Sequence, residues 1–184
     1  MTERVTVDDA DGVTGTKAAV ARAGAHWAVF VAVAAIVLVV DQVTKAWLVA
    51  HVAPGEVVNV VGENLRLVFS QNSGALFGLF RDNAVVFGIA SLAVIALIVA
   101  YHARSGRSLY FSIALGLLLG GALGNVSDRL RLGYVVDFVD MGIGAFRWYT
   151  FNAADAAISV AIVMLVAAAV FPRLTEPAEG SSHG

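Results

Sequence analysis

His26 to Val49 reads HWAVFVAVAAIVLVVDQVTKAWLV, an unbroken apolar run from Trp27 to Val40 followed at once by Asp41 and, four positions on, Lys45. A segment of this length is close to the roughly 20 residues a helix needs to cross hydrocarbon. A helix satisfies all its backbone hydrogen bonds internally, which is what a bilayer demands. Asp41 and Lys45, at i and i+4, share one face of it. Near a helix end such a pair can snorkel to the interface at little cost, or it can help to shape a site. The residues alone leave both readings open.

Working outward, three further apolar segments at about 84–101, 109–127 and 154–171 have comparable length. The expectation is an all-α integral membrane protein with four transmembrane helices. Composition agrees: 59% of the 184 residues are hydrophobic and 14% charged, with a mean hydropathy of +0.80, well beyond the usual soluble balance. Lys17 and Arg22 ahead of the first run give it the look of a secretory signal, but no small-residue cleavage site follows. Residues 1–24 and 173–184 are polar and without periodicity, and read as disordered tails flanking one membrane domain over 25–172.

Four spans put both termini on one side of the membrane. The basic residues divide evenly between the two sides, so the overall count does not orient the chain. The short connection from Tyr101 to Leu109, with Arg104, Arg107 and no acidic residue, favours a cytoplasmic loop and cytoplasmic termini. The connections 50–83 and 128–153 are then extracytoplasmic. In the first, Leu65, Leu67 and Phe69 alternate with polar neighbours, which predicts a small β-rich loop. In the second, Phe146, Trp148 and Tyr149 suit an interfacial segment.

Most of the polar residues of interest fall in or beside these connections. Asn125, Asp128 and Arg129 lie on one helical face, after Gly120, Gly121 and Gly124, which permit close helix approach. Asp128 and Arg129 can neutralise each other, so they read as shaping a site. Asp137 sits in the apolar stretch Tyr134 to Val139 with no basic neighbour close in sequence, and burial there raises a carboxyl pKa. In FNAAD, Asn152 fits an N-cap and Asp155 the third helical position, as in a capping box. The helix dipole at that position favours the ionised carboxylate. A purely structural cap remains the alternative.

Two carboxyls in opposed environments are what hydrolysis by paired acids needs. One takes a proton from the attacking water while the other, protonated, polarises the carbonyl. Placed about 3 Å apart, they could not both ionise easily. Other nucleophiles are disfavoured. There is no Cys, which also excludes disulfides and thiolate metal sites. His26, His51, His102 and His183 are dispersed, and neither HExxH nor Gly-x-Ser-x-Gly occurs. No metal site is expected. With a net charge of −2 and no basic stripe, nucleic acid is not an expected partner.

The ordered set DQVTK, QNSGALFG, GGALGNVSDR, GYVVDF and FNAAD resembles the lipoprotein signal peptidase (signal peptidase II) family over about residues 26–171. The resemblance implies a four-helix enzyme of the bacterial cytoplasmic membrane with its active site near the extracytoplasmic face. That enzyme cleaves prolipoproteins just before a diacylglyceryl-modified Cys, uses no cofactor, and is blocked by globomycin. By motif, the catalytic aspartates correspond to Asp137 and Asp155. Asp41, Asn72, Gly121, Asn125, Asp128, Arg129 and Asn152 match site-forming positions, and Lys45 belongs with Asp41 in DQVTK. Leu76 departs from the pattern, which often has a small residue there. Two rival readings use the same acids differently: a small proton-coupled transporter or channel, or a non-catalytic scaffold in which they only cap and pair.

Overall fold

The computed structural model describes residues 8–73, 84–105 and 108–175. In chain order these form α1 (Asp8–His51), β1 (Val57–Val61), β2 (Leu65–Asn72), α2 (Ala84–Ser105), α3 (Leu109–Leu132), β3 (Val135–Ile143), β4 (Phe146–Arg147) and α4 (Ala153–Val170), then a short 3-10 turn at Pro172–Leu174. Among the described residues, three helices are long and apolar enough to cross a membrane, over Gly24–His51, Leu109–Leu132 and Ala153–Val170. The apolar part found in α2 is shorter, Ser91–Arg104. Helix α1 begins earlier than expected, because residues 8–23, assigned above to a disordered tail, continue it. Good helix formers such as Lys17, Ala18 and Ala19 extend a helix that is already nucleated at little cost. Residues 1–7, 74–83, 106–107 and 176–184 lie outside the described residues, including most of QNSGALFG, Arg107 of the short connection and much of the expected C-terminal tail.

Helix α3 packs against all three other helices. Half of its apolar window is buried, against 17% for those of α1 and α4, so the outer faces of α1 and α4 are left to lipid. Ile36, Val39, Val43 and Val163 are among the residues exposed there. Glycine makes the central position possible. A Cβ on Gly116 would lie 2.8 Å from the carbonyl oxygen of Phe30, and one on Gly120 would lie 2.6 Å from that of Ala34. Around these contacts Phe30, Ala34, Ile98, Leu115 and Leu119 form a buried cluster. His102 belongs to the same region, stacked on Phe30 at 4.1 Å and 3.1 Å from the Ser112 hydroxyl. Gly120→Val is expected to destabilise the fold by about 3 kcal/mol, since backbone cannot yield as a side-chain tip can. Thermal unfolding in detergent checks this, and an unchanged transition would count against the packing.

The strands make one antiparallel sheet in the order β1-β2-β3-β4, as the alternation over residues 64–70 predicts for its first hairpin. Leu48, Val52 and Val136 form a second buried cluster that seats the sheet on the end of α1, with Leu67, Phe69 and Phe138 packed around it. Two local features then aim the chain. Gly133, left-handed at φ 80°, ends α3 and donates its N–H to Arg129, so β3 starts within three residues. A bridge between Val139 and Phe151 draws the start of α4 against β3, with the Val139 N–H donating to Phe151 at 2.8 Å.

Candidate active site

These constraints bring Asp137 of β3 and Asp155 of α4 to one place. Register pairs Asn72 with Val135 and Ser70 with Asp137, after an irregularity between Leu67 and Ser70. Such bulges re-aim side chains next to sites. Here the Asn72 amide donates to Asp137 Oδ2 at 2.9 Å. Asn152 Nδ2 donates to Asp137 Oδ1 at 2.7 Å. At the same time Asn152 Oδ1 accepts the Asp155 N–H at 2.9 Å, and its own N–H donates to Asp155 Oδ2 at 3.3 Å. That completes the capping box expected from FNAAD. One residue therefore touches both aspartates. Asn125 Nδ2 supplies the remaining bond, to Asp155 Oδ1 at 2.8 Å.

The two carboxyls differ in environment, in the direction their neighbours in the sequence imply. Asp137 is 3% exposed, whereas Asp155 is half-buried. Burial pushes the Asp137 pKa up to about 6, opposed by the Asn72 hydrogen bond and assisted by the charge of Asp155, while Asn152 and Lys45 hold it back.

Behind the aspartates lies a buried ionic group. Asp41, Lys45 and Asp128 are 0%, 3% and 2% exposed. Lys45 Nζ is 2.8 Å from Asp41 Oδ2 and 2.8 Å from Asp128 Oδ2. It also donates to Asn125 Oδ1 at 3.2 Å. The interfacial reading of the Asp41–Lys45 pair is thereby corrected: the pair faces protein, because α3 covers that face of α1. The reading of Asp128 and Arg129 as mutual partners also changes, since neighbours on a helix point roughly 100° apart. Asp128 pairs with Lys45, while Arg129 donates to the Asn125 carbonyl at 3.3 Å. The Arg129 charge lies within electrostatic reach of Asp155, Asp137 and Asp128. Gly121 permits the approach of α3 to the first turn of α4, since a Cβ there would stand 2.6 Å from the Ala154 carbonyl oxygen.

Two participants escaped the sequence reading. Gln42 donates from Nε2 to Asp41 Oδ2 at 3.1 Å and to Asp128 Oδ1 at 3.0 Å. Its place inside DQVTK was the available signal. Asp140 receives Arg66 Nε at 2.9 Å and Arg147 Nε at 3.0 Å, fastening β2, β3 and β4 together. Burial works to raise its pKa, but the two guanidinium groups prevail and hold it below the usual carboxylate range. Arg66 stands opposite Asp140 in the register, which no local spacing reveals.

Chemically, the arrangement offers a buried carboxyl able to keep a proton near neutral pH beside a more open carboxylate. Among the described residues, no group of three or more His, Cys, Asp or Glu side chains is placed to hold a metal ion. The chain is similar to known proteins. A lipoprotein signal peptidase from Syntrophomonas wolfei is 39% identical over 131 residues, 71% of this chain and 85% of that one. Another from Moorella thermoacetica is 39% identical over 137 residues, covering 74% and 89%. A bacterial membrane enzyme solved by the in meso method at 2.3 Å resolution superposes with a TM-score of 0.74 at 26% identity, over 83% of this chain and 94% of that one. A second, at 1.9 Å resolution, gives 0.72 at 28% identity, over 77% and 92%. The sequence model of signal peptidase II matches residues 33–171, which hold Asp41, Lys45, Asp137, Asp155 and the amides between them, and the chain belongs to that family of proteases.

Proposed function

We propose that this chain is a membrane aspartic endopeptidase that removes the signal peptide from prolipoproteins, cutting on the N-terminal side of a diacylglyceryl-modified Cys. The observation that carries the reading is the joining of Asp137 and Asp155 through Asn152. The names of the relatives, lipoprotein signal peptidase, support the substrate class. In the first step Asp155 accepts a proton from water as the oxygen attacks the scissile carbonyl, while Asp137 donates its proton to the carbonyl oxygen. Collapse of the resulting diol breaks the C–N bond, with a proton passing from Asp155 to the leaving amine and one hydroxyl proton returning to Asp137 as the carbonyl re-forms. No cofactor enters these steps.

In this reading α2 completes a set of four transmembrane helices in the bacterial cytoplasmic membrane, with both termini cytoplasmic and the sheet outside. The acyl chains of the substrate partition into lipid at about 0.8 kcal/mol per buried methylene, so the substrate arrives laterally from the membrane. A proton-coupled transporter would need carboxylates along the depth of the bundle. Here Asp41, Asp128, Asp137 and Asp155 gather at one end.

Purified protein in detergent is expected to cleave a diacylglyceryl-modified prolipoprotein before the modified Cys, to leave the unmodified precursor intact, and to be blocked by globomycin. Equal cleavage of both precursors, or of neither, would overturn the proposal. The pH dependence carries its own sign. Asp137 must be protonated, so kcat/KM falls as pH rises through about 6, and loss of the ionised base limits the rate at acid pH. A profile flat from acid to neutral pH would exclude the dyad.

A further inference from the structure

Each of the two buried acids behind the site fastens one strand of backbone. Asp128 Oδ2 accepts the N–H of Val136 at 3.1 Å, the residue just before Asp137. Asp41 Oδ1 accepts the N–H of Ala154 at 3.0 Å, the residue just before Asp155. Lys45 holds both acids, through the other oxygen of Asp41 and through the same Oδ2 of Asp128 that accepts from Val136, and Gln42 bridges the same two carboxylates in parallel. We infer that Lys45 is a positioning residue, which through Asp41 and Asp128 sets the separation of the segments that carry Asp137 and Asp155. The inference rests on the peptidase reading above and extends it to how the dyad is held.

Stability alone is a poor reason for this arrangement. A buried ion group is often no more stabilising than apolar side chains of similar volume, because desolvation offsets the attraction. What charged, directional contacts provide is a fixed distance, and a misplacement of about 1 Å can cost a factor of about 100 in rate. Lys45 is suited to the task because a single ammonium group has donors for both carboxylates and for Asn125, whose amide in turn reaches Asp155.

The test uses the full-length enzyme in detergent, with folded protein quantified by gel filtration. Lys45→Met is expected to lower kcat about 100-fold with KM within about twofold, and Lys45→Arg to restore part of that loss. Amide hydrogen exchange gives a readout that does not depend on activity. In Lys45→Met, peptides covering Val135–Asp137 and Ala153–Asp155 should both exchange faster. A folded Lys45→Met enzyme with unchanged kcat, or with either segment still protected, would overturn the inference. Should that variant fail to fold, Gly124→Ala replaces it, because its methyl would lie 2.5 Å from Asp41 Oδ2 and 3.3 Å from the Ala154 Cβ, and so disturbs the Asp41 side of the bridge. Faster exchange is then expected in Ala153–Asp155 and not in Val135–Asp137, and any other pattern counts against the bridge. If wild-type enzyme cleaves no lipid-modified precursor, the peptidase reading fails while the exchange result still decides the bridge.

Discussion

Asp137→Asn and Asp155→Asn are each expected to lower cleavage of a lipid-modified precursor by about 10⁴-fold or more, with the protein still folded. Asn preserves the size of the side chain but can neither take a proton from water nor give one to a carbonyl oxygen. The two variants should differ in stability. Both oxygens of Asp137 accept amide donors, from Asn72 and Asn152, so an Asn there must turn its own NH₂ toward one of them. Asp155 also accepts on both oxygens, from Asn125 and the Asn152 N–H, but it is more open, so water can replace a displaced donor and the unfolding temperature should change less. Residual activity above about a tenth of wild type in either variant would exclude that aspartate from the chemistry.

Asn152→Ala is expected to reduce kcat by about 10²-fold to 10³-fold at a stability cost of only about 1 kcal/mol. The small cost is that of a lost helix cap. The large rate effect follows because the same side chain touches Asp137, Asn125 and the backbone of Val136 and Asp155. Asn152→Asp separates the two roles. A carboxylate still accepts the Asp155 N–H and so keeps the cap, but in place of the amide donor it sets an acceptor oxygen against Asp137 Oδ1. Wild-type stability with a severe loss of rate is the expected result, and a fully active Asn152→Asp enzyme would reduce Asn152 to a cap.

The parts of the molecule legible in the sequence are those with local causes. Apolar runs gave the long helices, alternation at Leu65, Leu67 and Phe69 gave the first hairpin, and the spacing in FNAAD gave the cap at Asn152. The raised pKa of Asp137 was implied by its Val and Phe neighbours. Lys45 was legible as a partner of Asp41 from its spacing, but the distant partners of Asp41 and Asp128 were not, because the contact from Asp41 to Ala154 spans 113 residues. Local spacing left open whether the Asp41–Lys45 pair sat at the interface or in a site, and it set Arg129 beside Asp128. For the same reason Asp140 passed unnoticed until the sheet register set it against Arg66 and Arg147.

The central place of α3 bears on how the chain enters the membrane. Its mean hydropathy, 1.7, is below the 2.2 and 2.3 of the spans in α1 and α4, and Asn125, Asp128 and Arg129 lie in its last turns. Each charge at the centre of a span opposes insertion by about 2.5–3.5 kcal/mol, and less toward the ends. On its own α3 is the least favourable of these three segments to leave the insertion machinery. Once Lys45 of α1 meets Asp128, and the first turn of α4 closes over Gly121, its polar groups have partners. Protein is then the solvent of α3, as lipid is for the outer faces of α1 and α4, so assembly of the bundle and acceptance of this helix by the bilayer are coupled events.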